Sequence, residues 1–133
     1  MIDALALAIA YVRASAPDDL GVEPGLSVNI IEKLPVAVVS TSVPSSVSNG
    51  PLEASSAFTV AVSVYAGSRV EAARMAGDLF DGCLRSWRSR LVTEFGWFLR
   101  LTHDSMHPAH VRSDLEADGT YRVDFTLDVI ARN

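Results

Sequence analysis

Three histidines and a carboxylate fall within eight residues late in the chain: His103, Asp104, His107 and His110. Imidazole and carboxylate together form a common donor set for zinc or iron. A small metal-dependent enzyme or ligand-binding domain would therefore build its centre on His103, His107 and His110. The spacing gives little support to that chemistry. His103 and His107 share a face only on a helix, and Pro108 directly after His107 disfavours helix there. The preferred reading is exposed histidines in a polar connection between strands, and no metal site is assigned.

The single cysteine, Cys83, falls on the apolar side of a predicted helix, where a thiol acts as a small hydrophobe and not as a nucleophile. One cysteine excludes an intramolecular disulfide and fits a reducing compartment. The sequence contains no glycine-rich phosphate loop, no Gly-x-Ser-x-Gly and no spaced carboxylate pair with an apolar pocket signature. Neither a catalytic residue nor a cofactor is expected.

Arg85, Arg88 and Arg90 interleave with Trp87, a pattern on which single-stranded nucleic acid can stack. Cations at a helix C-terminus are equally explained by the helix dipole. The chain carries a net charge of -5, and Lys33 is its only lysine, so specific nucleic-acid binding is disfavoured. An acidic wall is nevertheless compatible with DNA sliding past it.

The elements that must position these residues can be read from periodicity. Residues 1–133 read as one α+β domain without repeat or linker, 49% hydrophobic and 20% charged, a balance that supports a packed core. Ile2, Leu5, Ile9 and Val12 set one stripe of a helix over 2–15, with Asp3 in its first turn and Arg13 in its last. That apolar start lacks the positive n-region of a signal peptide and is read as structure. No stretch approaches the ~20 apolar residues of a membrane helix.

β-prone runs at 26–31 and 36–41 predict two strands joined by a hairpin or bend at Glu32-Lys33-Leu34-Pro35. Residues 43–56 turn to Ser, Pro, Gly and Asn, a long polar loop. Residues 57–65 alternate as a half-buried strand, with Phe58, Val60, Val62 and Val64 inward and Tyr65 on the other face. Ser68 then caps a helix running to about Arg88, with Glu71 at the capping-box position. Its apolar side gathers Ala72, Ala76, Leu79, Phe80, Cys83 and Trp87. A strand at 95–102 sets Trp97, Leu99 and Leu101 opposite Phe98, Arg100 and Thr102, and 109–115 predicts another short strand. Asp118-Gly119 predicts a hairpin turn before a long alternating strand from Thr120 to Arg132.

This order resembles the tail terminator (tail completion, neck) family of siphophages. The carrying segments are Phe58 to Ser68, the helix from Arg69 to Leu84 with its Glu71-Ala72-Ala73, and the alternating run from Tyr121 to Val129. The resemblance implies a mixed, mostly antiparallel curved sheet flanked by an N-terminal helix and a longer amphipathic helix. It further implies a non-enzymatic virion protein at the tail-neck junction, assembled in the bacterial host cytoplasm. Six copies would form a ring that caps the completed tail tube, ends its polymerisation and meets the head-tail connector or stopper protein. Another neck or head-tail joining protein is the nearest alternative.

A ring subunit needs exposed complementary patches. The long loop and solvent-side aromatics are the natural contributors, which singles out Val47, Leu52, Tyr65 and Phe98 as interface candidates. No membrane partner is expected.

Overall fold

A computed structural model describes residues 2–25, 30–47, 55–102, 108–111 and 114–132. The first helix, α1, spans Ala4–Ser15, and Asp3 stands just before it as its N-cap, its carboxylate accepting from the Ala6 amide at 3.0 Å. Its buried side is Ala4, Leu7, Ala8, Tyr11 and Val12, a rotation away from the stripe expected from Leu5 and Ile9. Leu5 is instead 37% exposed. The run is apolar on every side, so periodicity alone does not select a face. The small Ala4 and Ala8 and the large Tyr11 select it by fit.

Strand β1, Gly21–Glu23, pairs in parallel with β2, Val36–Thr41. Of the strand expected over 26–31, Ile30 and Ile31 belong instead to a 3-10 turn, Ile30–Lys33, and residues 26–29 lie outside the described residues. Lys33 Nζ holds this turn to β1 through Glu23 Oε1 at 2.8 Å. The polar loop is partly ordered into a strand. Ser45–Ser46, β3, pairs antiparallel with the start of β4, Ser56–Ala66, and Leu52 lies outside the described residues.

Helix α2, Arg69–Arg88, opens on Ser68, whose hydroxyl accepts from the Glu71 amide at 3.1 Å. It buries Ala72, Met75, Ala76, Leu79, Phe80, Gly82 and Cys83. Then follow β5, Val92–Thr93, β6, Gly96–Thr102, β7, Ala109–Val111, and β8, Tyr121–Arg132. The turn expected at Asp118-Gly119 is instead the end of a 3-10 turn, Asp114–Asp118. Gly119 closes it at φ 78°, a left-handed conformation that costs glycine little, and its amide donates to the Glu116 carbonyl.

The fold is α+β. Six strands run in the order β1-β2-β4-β8-β6-β5, with β3 continuing the sheet beside β4 and β7 beside β8. All pairings except β1 with β2 are antiparallel. The sheet curls, so that α1 touches β1 and β2 at one border and β5 at the other. Both helices cover one face, where Phe58, Val60, Val62 and Val64 of β4 meet Val123, Phe125, Leu127 and Val129 of β8. Phe80 meets Phe125 edge to face at 5.3 Å between ring centres. On the opposite face a smaller cluster of Ile30, Val36 and Tyr65 gathers under Leu34 and Leu115.

The helices cross at their C-terminal ends, where Gly82 meets Ser15. A β-carbon placed on Gly82 would lie 2.3 Å from the Ser15 carbonyl oxygen, so only glycine fits. Ser15 Oγ donates to the Tyr11 carbonyl at 2.8 Å and lies 2.8 Å from Ser86 Oγ. With the Ser15 proton committed to Tyr11, Ser86 is the donor across the crossing.

Candidate interaction surface

Helix α2 ends in a tight reversal that aims its last side chains at the β5–β6 border. Arg90 donates its amide to the Trp87 carbonyl and Leu91 its amide to the Ser86 carbonyl, both at 3.0 Å. This pair of bonds is the Schellman arrangement, which requires a left-handed residue at Arg90. Arg90 adopts φ 57°, where glycine would avoid a cost of roughly 1–2 kcal/mol. The strained position carries a cation at the mouth of an open groove.

That groove has a volume of about 670 Å³ and is lined by Trp87, Arg88, Arg90, Val92, Trp97, Phe98 and Leu99. It takes in both tryptophans of the chain. A register shift in β6 builds it. Between Phe98 and Arg100 the pairing with β8 skips one residue, so Phe98 and Leu101 both point into the core and Leu99 turns outward. Leu99 is 47% and Val92 67% exposed. Arg85, Arg88, Arg90 and Arg100 are exposed and make no ion pair among the described residues.

Of the four residues expected at an interface, Phe98 is in the core, tilted against Tyr11 with ring centres 4.3 Å apart and edge-on to Phe58. It meets the groove only as part of its lining. Tyr65 is also buried, beneath the small cluster on the opposite face. Neither is the solvent-side aromatic expected from simple alternation. Val47 is half-buried, its amide donating to the Ser55 carbonyl, and Leu52 lies outside the described residues.

His103 and His107 lie outside the described residues, so a three-histidine centre has one described member. His110 Nδ1 accepts from Arg69 at 3.2 Å, and its Nε2 lies 2.6 Å from Glu116 Oε1 without hydrogen-bond alignment. A cation taken up by His110 would have to displace one of these neighbours. Cys83 is fully buried, and burial pushes its thiol up to about 12. Such a thiol has almost no thiolate near neutral pH and is a poor nucleophile.

A second groove lies on the sheet face away from the helices and includes Ser42, Thr59, Arg100, Thr102 and Asp128. Its polar groups largely satisfy one another: Thr59 Oγ1 donates to Asp128 Oδ1 at 2.7 Å, and Ser42 Oγ accepts from the Thr59 amide at 2.8 Å. The tryptophan groove is the more adhesive surface, because its arginines form no ion pair among the described residues and its aliphatic side chains Val92 and Leu99 are exposed. The chain matches no protein-family model and no curated protein, so the surface is interpreted from its own chemistry.

Proposed function

We propose that this chain is a structural virion assembly protein of the siphophage tail terminator kind. Six copies form a ring that caps the completed tail tube, ends its polymerisation and offers a joint to the head-tail connector or stopper protein. No catalytic step, metal or cofactor takes part. DNA crossing the ring meets a chain of net charge -5 and is not held by it.

The observation that carries the reading is the groove at the β5–β6 border. Tryptophan and arginine are the side chains most enriched at the energetic centres of protein interfaces. Here both tryptophans and two arginines that form no ion pair among the described residues share one hollow with Val92 and Leu99. The order of elements, with a capped amphipathic helix between two long central strands, adds the resemblance to terminators.

The test is polymerisation of purified tail tube protein with and without this chain, with tube lengths measured by electron microscopy. Elongation should stop, with a ring at one tube end. Unchanged tube lengths and bare tube ends would overturn the terminator role, and binding to a connector alone would reassign the chain to another neck position.

A further inference from the structure

We propose that the tryptophan groove of one copy receives the acidic β1 border of a second copy, so that copies join head to tail. The choice of a second copy rests on the ring-forming role above, while the surfaces that meet are argued from charge and shape.

Residues 82–102 hold four arginines, Arg85, Arg88, Arg90 and Arg100, against one acid, Glu94, a net charge of +3. The rest of the chain holds seven basic and fifteen acidic side chains, a net charge of -8. A second copy therefore presents mostly acidic surface to this groove. Three of the seven other cations form ion pairs within the chain: Lys33 with Glu23, Arg74 with Asp78 and Arg122 with Asp124. The four arginines of this segment form none among the described residues.

The matching surface lies at the other border of the sheet. Asp18 and Asp19 are exposed in the turn that enters β1, and Glu32 is exposed in the 3-10 turn tied to β1 by the Lys33–Glu23 pair. None of the three makes an ion pair among the described residues. Beside Glu32, Ile31 is 52% exposed. The border thus offers carboxylates around an aliphatic knob, and the groove offers arginines around an apolar hollow. Guanidinium and carboxylate pair through two parallel hydrogen bonds, which fixes orientation. The two surfaces sit on different borders of one sheet, so the contact repeats from copy to copy and closes as a ring if the rotation permits.

Light scattering over a concentration series tests this with three proteins: wild type, Arg88→Glu/Arg90→Glu, and Asp18→Arg/Asp19→Arg. All four positions are exposed, and circular dichroism verifies that the variants fold. The wild type should associate with rising concentration. Raising salt from about 0.1 M to about 1 M, which shortens screening from about 10 Å to about 3 Å, should weaken that association. Each variant alone should lose association, because like charges then face one another. An equimolar mixture of the two should regain it, since each supplies the charge the other's surface requires.

A wild type that stays monomeric, variants that associate as it does, or a mixture that stays monomeric would each overturn the proposal. So would a single-stranded oligonucleotide that binds and quenches tryptophan fluorescence only while Arg88 and Arg90 are present. Tail tubes play no part in this experiment. A chain that shortens tubes but fails the charge exchange loses the groove pairing alone, and one that passes it but leaves tubes unchanged loses the terminator role alone.

Discussion

At the scale of single residues, two glycines of one helix have opposite reasons to be there. Gly82 sits where a β-carbon would strike the Ser15 carbonyl, whereas a β-carbon on Gly77 meets nothing within 4 Å. Gly82→Ala should destabilise the fold by about 1–3 kcal/mol, because two helix backbones must separate to admit one methyl. Gly77→Ala should stabilise it by roughly 0.5–1 kcal/mol through helix propensity and a less flexible unfolded chain. Urea unfolding of the two variants verifies both signs, and equal effects would mean that the helices do not cross at Gly82.

The same crossing sets an alkaline limit. Burial raises the Cys83 thiol from 9.0 to about 12, and it drives the Tyr11 phenol above its usual 10.0, with Cys83 adding a smaller push. Both groups are neutral when protonated. The unfolded chain therefore releases their protons first as pH rises, and above about pH 9 the native state binds more protons than the unfolded state. Stability is full below that pH and falls as pH climbs towards the native values. Cys83→Ala should flatten the first part of the decline in urea midpoints. A midpoint that stays level to about pH 11 in the wild type would contradict the buried placement of these groups.

At the scale of elements, much of the layout is legible in the sequence. The last strand, the strand from Ser56 and the Ser68-capped helix follow from strict alternation, a capping residue and a one-sided apolar stripe. What alternation does not carry is a skipped residue. Trp97, Leu99 and Leu101 read as one face, yet the shift between Phe98 and Arg100 buries Phe98 and Leu101 and exposes Leu99. The bulge depends on pairing with β8, far along the chain, and no local pattern announces it. For the same reason the groove is legible only in part: Arg85 to Arg90 with Trp87 form a pattern in the sequence, while Trp97 and Leu99 join them only through the fold.

The 3-10 turn that takes the place of strand at Ile30 has a similar cause. Ile30 buries itself by folding against Val36 and Tyr65, a tertiary contact that overrides its β propensity. The bulge yields its own prediction. Phe98→Ala should cost about 3–5 kcal/mol by emptying a core site, whereas Leu99→Ser should change stability by no more than about 0.5 kcal/mol. Thermal unfolding of the two variants decides it, and comparable losses would place Leu99 inside.

At the scale of the whole molecule, both helices and the central strands share one continuous cluster of buried side chains. A domain of this size with one core unfolds as a unit. Trp87 packs against that cluster, and Trp97 stands on a strand paired with β8. Tryptophan fluorescence and far-ultraviolet circular dichroism should therefore report the same denaturation midpoint. An earlier fluorescence transition would show that the β5–β6 border melts independently.

The position of β8 has a consequence for synthesis. Tyr121–Arg132 is late in the chain yet lies in the middle of the sheet, between β4 and β6. Until β8 has been made and has emerged from the ribosome, β4 has no partner for its inner edge. That edge stays unpaired until Arg132 has cleared the exit tunnel. The nascent chain is thus a natural client for holding chaperones, and a premature stop removes the middle of the sheet and not merely its rim.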